Sequence, residues 1–275
     1  MSSNEGKEKS NGLEIFKTAS TFIASVVIAA TGLLATRQYN LSQLEISRNK
    51  ILTELIPKLG EPDANVRKFS AMALALYGKH AVPALMPTLT DVSGEVRLAG
   101  VQSLSLIGAA AINELTKAYT DRRNSINVRG SAIYALGLMR APKTYELAAA
   151  ALENPKEDPD IRKDAATALG FLREKRATQK LLTVLRQRNA KDPILAGNIV
   201  IALGEIEDTA IVDSLVGLRL HEHSDENVRL QTMWALGKRG DENVLNILSQ
   251  VESEDASEKV RQTAKWATAS IKRRS

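Results

Sequence analysis

SINVRGSAIYALG, residues 125–137, decides the fold, because the chain repeats it. Six further segments align with it: DANVRKFSAMALA (63–75), SGEVRLAGVQSLS (93–105), DPDIRKDAATALG (158–170), DPILAGNIVIALG (192–204), DENVRLQTMWALG (225–237) and SEKVRQTAKWATA (257–269). Their starts are 30, 32, 33, 34, 33 and 32 residues apart. Each copy opens on Asp or Ser, side chains that cap the free amides of a first helical turn. Three positions later stands an apolar residue: Val66, Val96, Val128, Ile161, Leu195, Val228 or Val260. Four and seven positions beyond it the residues are mostly small, and at the eighth leucine dominates. These offsets share one helical face, and small side chains there let a neighbouring helix come close.

A second amphipathic stretch follows each motif, as in TQKLLTVLRQ (178–187) and ENVLNILSQV (242–251). Two short helices per ~30-odd residues, neither able to bury its apolar face alone, are the pattern of an α-solenoid. The VR…A…ALG pattern resembles the HEAT-like repeat family, in particular the short form found in phycobilisome bilin lyases. The resemblance covers about residues 50–275. It implies an all-α fold: a right-handed α-solenoid of about seven helical-hairpin repeats, assigned to 61–275. It says little of function, because such repeats serve unrelated roles.

An arginine follows the apolar residue in six copies: Arg67, Arg97, Arg129, Arg162, Arg229 and Arg261, with Ala196 in the fifth. The resemblance implies that each bonds acceptors at the start of an adjacent repeat, and strict periodicity is what stacking demands. The competing reading is a ladder for phosphates or acidic peptides. A local irregularity is expected at the fifth repeat. Six positions after the apolar residue stand Met72, Gln102, Tyr134, Thr167, Ile201, Trp234 and Trp266. Tyr134, Trp234 and Trp266 are candidate partner-binding residues, since aromatics are favoured at interfaces, with packing between repeats as the alternative use. Trp266 lies in the last repeat, which no further repeat covers.

TASTFIASVVIAATGLLAT, 18–36, is nineteen residues without a charge. At ~1.5 Å per residue it would form about 28 Å of helix, near the ~30 Å hydrocarbon thickness. It is read as a transmembrane helix behind a polar tail (1–17), with a cleaved signal as the alternative because Ala30-Thr31-Gly32 resembles a cleavage site. Thr21, Ser25, Ala29 and Gly32 share one side of it and suit helix packing in lipid, for a homo-oligomer or docking on another membrane helix. The expectation is a single-pass membrane protein with its solenoid in the cytoplasm. Residues 37–60 are read as a juxtamembrane helix, ended by Pro57, that caps the solenoid.

Of 275 residues 44% are hydrophobic, only 4% aromatic and none is cysteine, which removes disulfides, thiolate metal sites and cysteine nucleophiles. The net charge of +5 arises from interleaved Lys, Arg, Asp and Glu. The basic stretches Arg173 to Lys191 and Lys272-Arg273-Arg274 have no aromatic platform for stacking bases. His221 and His223 supply two ligands, too few for a zinc site. No phosphate loop, nucleophile elbow or metalloprotease motif is present, so neither an enzyme nor a cofactor is expected. The function expected is a membrane-anchored scaffold for protein partners, an assembly factor or accessory subunit. The alternatives are a bilin-lyase-like chromophore-transfer protein and a nucleic-acid-binding HEAT-like protein.

Overall fold

The computed structural model describes residues 31–188 and 192–274. The chain divides into two compact units, Met1–Glu54 and Leu55–Ser275. The described part of the first lies wholly in one helix, α1 (31–55), whose last residue opens the second. Every regular element among the described residues of the second is a helix, and the repeats stack in chain order.

Each motif forms one helix: α2 (Ala64–Leu74), α4 (Gly94–Ile107), α6 (Ile126–Leu138), α8 (Pro159–Leu172), α10 (Pro193–Glu205), α12 (Glu226–Arg239) and α14 (Glu258–Lys272). The capping residues explain the starts. Asp63 accepts from the amide of Asn65, Ser125 from Val128, Asp158 from Asp160, Asp192 from Leu195, Asp225 from Val228 and Ser257 from Val260. Ser93 departs: its side chain caps nothing, and the carboxylate of Asp91 takes the Ser93 amide at 2.8 Å. Between the motif helices run α5 (Ala109–Thr120), α7 (Thr144–Glu153), α9 (Arg176–Arg188), α11 (Ala210–Gly217) and α13 (Leu245–Glu254). In the first repeat this place is held by the single turn α3 (Val82–Leu85), flanked by 3-10 turns.

The motif helices pack on one another in succession, α2 on α4, α4 on α6, and so on to α14. The glycine that ends the motif sets their distance. A Cβ on Gly137 would lie 2.5 Å from Cα of Ala168, and one on Gly170 would lie 2.8 Å from Cα of Ala202. Gly204 meets Ala235 and Trp234, and Gly237 meets Ala267 and Trp266, in the same way. The small residue seven places after the apolar one therefore receives the glycine of the preceding repeat. Leu74, Leu104, Leu136, Leu169, Leu203 and Leu236, one residue further, are fully buried.

At the fifth repeat Ala196 is buried where the others carry arginine. The helix that follows, α11, has only eight residues and is followed by a 3-10 turn at Leu220–Glu222.

The single-pass membrane localisation expected from the sequence does not hold, and the cytoplasmic placement of the solenoid relative to a bilayer goes with it. No helix among the described residues is long and apolar enough to cross a membrane. The described part of α1 carries Arg37, Glu45, Arg48, Lys50 and Glu54. Residues 18–30 of the expected span, with Thr21, Ser25 and Ala29, lie outside the described residues, as does the tail 1–17. Gly32 lies in α1 with no other atom within 4 Å of its side-chain position.

Candidate protein-interaction face

The motif arginines come to lie along one side of the stack, and each is occupied by the protein itself. Arg67 forks onto Asp91 with bonds of 2.7 and 2.9 Å, and donates to the carbonyls of Glu61 and Pro62. Arg129 forks onto Glu157 at 3.1 and 3.0 Å and donates to the carbonyl of Tyr119. Arg229 forks onto Asp255 at 2.7 and 3.0 Å and reaches the carbonyls of His223 and Ser224. In all three forks the carboxylate stands one or two residues before the capping residue of the next motif. Arg97 donates to the carbonyls of Asp91 and Val92, Arg162 to that of Leu152, and Arg261 to that of Asp255 and to the carboxylate of Glu258.

These pairings shift the acids. The Arg67 and Arg229 guanidinium groups hold Asp91 and Asp255 below the usual carboxylate range. Burial pushes Glu157 up, but the hydrogen bonds from Arg129 and Arg122 outweigh it and hold the group at about 2.

The aromatic positions divide. Trp234 and Trp266 lie against the preceding repeat, each with a ring-edge carbon 2.5 Å from where a Cβ on Gly204 or Gly237 would stand. Lys238 sits 4.6 Å from the centre of the Trp234 ring, and Trp266 keeps 40% of its surface exposed. Tyr134 is half-buried on α6 and meets Phe171 of α8 edge-on, with ring centres 5.2 Å apart. The structure does not bring the three together: Tyr134 stands in the third repeat, Trp234 and Trp266 in the sixth and seventh.

A different set of residues does share one face. Ten positions after the apolar residue stand Leu76, Leu106, Leu138, Phe171, Glu205, Lys238 and Ser270. These are equivalent places in successive repeats, Leu76 in the 3-10 segment that follows α2 and Leu106, Leu138 and Phe171 on α4, α6 and α8, and the first three are 81%, 73% and 40% exposed. Phe69 and Met72 on α2, both exposed, fall within about 60° of one another at ~100° per residue, and Leu98 adds exposed apolar surface on α4. The apolar row stops at Phe171. Beyond it Glu205 accepts from Lys238 at 2.6 Å and from Arg173 at 2.7 Å.

Asp164 occupies this face on α8, two turns before Phe171. Its Oδ2 lies 2.4 Å from where a Cβ on Gly130 would be, so the absence of a side chain at 130 makes its room. Burial pushes its pKa up to about 6, with Lys163 opposing and Asp160 adding to the shift. Lys163 itself bonds Asp160 at 2.9 Å.

The sequence carried a signal for the leucine row that the thirteen-residue alignment stops short of. Extending each copy by one column gives Leu, Leu, Leu and Phe in the first four repeats. Asp164 gave none, because its neighbour Gly130 belongs to another repeat.

The profile of the HEAT repeats family matches residues 52–127, 120–192 and 186–269. The chain belongs to the HEAT-repeat family. Its fold is similar to that of human deoxyhypusine hydroxylase at 19% identity, over 81% of this chain and 84% of the other, with a TM-score of 0.39. The CpcE–CpcF complex of phycocyanin lyase from Nostoc is similar at 21% identity, over 76% and 73%, with a TM-score of 0.41. An archaeal HEAT-like repeats protein from Thermococcus onnurineus is similar at 17% identity, over 80% and 97%, with a TM-score of 0.40. No curated protein matches this HEAT-repeat chain in sequence.

Proposed function

We propose that this HEAT-repeat chain is a protein-interaction scaffold that binds its partner on the face of α2, α4, α6 and α8. The observation that carries the reading is the row Leu76, Leu106 and Leu138. Three large apolar side chains recur at one place in successive repeats and stay exposed, and exposed apolar surface marks interaction sites. Tyr134 and Phe171 extend it with aromatic surface of the kind enriched at interfaces. The arginine row does not serve this purpose, since each arginine is engaged by carboxylates or carbonyls of the chain and acts in stacking.

The reading requires no chemistry from the chain, and suits an assembly factor or accessory subunit. Its test is site-specific photocrosslinking in cells. A photoreactive residue at position 106 should give one discrete adduct that disappears when Leu76 and Leu138 are both changed to Asp. The same residue at position 180, on α9, should give none. Equal adducts from both positions would sink the assignment of this face.

A further inference from the structure

We propose that the face of α2, α4, α6 and α8 takes an amphipathic protein segment whose apolar side chains cover Leu76, Leu106 and Leu138 and whose single Lys or Arg pairs with Asp164. This rests on the scaffold reading and adds the chemistry of the partner. Charge complementarity is the argument. Asp164 accepts no hydrogen bond among the described residues, and the cation beside it, Lys163, is turned to Asp160. Of the other cations beside the row, Lys68 is paired with Glu95 and Arg140 donates to the carbonyl of Phe171. The remaining side chains of the row are uncharged. A carboxylate held in a partly apolar setting with no donor costs stability, and a donor supplied from outside removes that cost. Gly130 contributes directly, because any side chain there would fill the space that Oδ2 now occupies.

The dimensions fit one segment. Four packed helices at 8–10 Å separation span about 27 Å between the first and the last, the reach of about 8 extended residues or of a helix of about 18. Asp164 is seven residues from Phe171, about 10 Å along the helix. The basic side chain would therefore lie to one side of the apolar contacts at the α8 end.

The test is selection of random 16-residue peptides displayed on phage against the full chain, followed by fluorescence anisotropy of the selected peptides as synthetic probes. Expected are peptides with several large apolar residues and a Lys or Arg near one end, whose binding is lost in both Leu106→Asp and Leu76→Asp. Asp164→Asn should weaken them roughly tenfold, the size of a charge-assisted bond. Replacing the peptide's basic residue by norleucine should weaken binding equally in the wild type and not at all in Asp164→Asn. Because Asp164→Asn removes an unpaired charge, its melting temperature should not fall below wild type, which separates lost binding from lost folding. Peptides that need the leucines but carry no residue coupled to Asp164, or that carry an acid there, overturn this inference and leave the scaffold reading intact. Selected peptides indifferent to the leucines, or no binding peptide at all, overturn both. So does a row covered by a second copy of the chain, seen as a dimer by light scattering that Leu106→Asp returns to monomer.

Discussion

Gly137 and Ala168 stand so close that a Cβ on residue 137 would lie 2.5 Å from both Cα and Cβ of Ala168. The neighbour that would have to move is backbone, so the two helices must separate to admit a methyl group. Gly137→Ala should destabilise the fold by about 1–3 kcal/mol, despite the better helix propensity of alanine. Gly32→Ala, with open space around it, is the control. Chemical denaturation of both variants measures it, and an unchanged midpoint for Gly137→Ala would show that the spacing yields easily.

The Arg229–Asp255 fork joins the sixth repeat to the start of the seventh, and its side chains are 14% and 6% exposed. Asp255→Asn leaves a largely desolvated guanidinium without its counter-charge, at a cost of about 3 kcal/mol. Amide hydrogen exchange should show α13 and α14 opening before the rest. Uniform loss of protection along the chain would mean that the repeats do not separate there.

Glu157 is held at about 2 in the fold against 4.5 for the free group. Its contribution is therefore present above pH 4.5 and lost as pH falls from there towards 2. It amounts to about 2–3 kcal/mol at most. Urea denaturation at pH 5.5 and pH 2.5 should show a larger drop for wild type than for Glu157→Gln, and equal drops would remove Glu157 from the acid sensitivity.

Asp164 has the opposite sign. Its folded pKa of about 6 lies above the ordinary 3.8, so native stability declines as pH rises from about 3.8 to about 6 and is level beyond. The groups facing it are Lys163 and Asp160 on α8 and Tyr134 on α6; Tyr134 is neutral in this range. Asp164→Asn should match wild type near pH 3.5 and be about 1–3 kcal/mol more stable at pH 7. A variant less stable at pH 7 would mean the carboxylate has a donor in the native state.

Trp266 is 40% exposed while Trp234 is half-buried beneath Lys238. Acrylamide should quench two classes of tryptophan emission, and Trp266→Phe should abolish the more accessible one. Survival of the accessible class would place Trp234 at the surface instead.

The periodic residues made the fold readable. Asp158, Ile161, Ala165 and Leu169 each carry a local cause, a cap, a buried stripe and a close-packing residue, that depends on neighbours within a few positions. Such causes recur whenever the residues recur, so the stack of paired helices follows from the sequence by itself. The same short-range reading misjudged the apolar run at 18–36. No helix among the described residues is long and apolar enough to cross a membrane, and residues 18–30 of that run lie outside them.

What only the tertiary structure decided is which surface was left over. Leu136 and Leu138 are two residues apart on one helix, yet the first is fully buried and the second 40% exposed, because the helices packed on α6, among them α4, α5 and α8, close over the first and leave the second partly open. Asp164 became a half-buried carboxylate with no hydrogen-bond donor among the described residues only when a glycine 34 positions earlier in the sequence was brought against it. Contacts between repeats fix burial, burial fixes the energy of a charge, and neither is written in the few residues on either side of it.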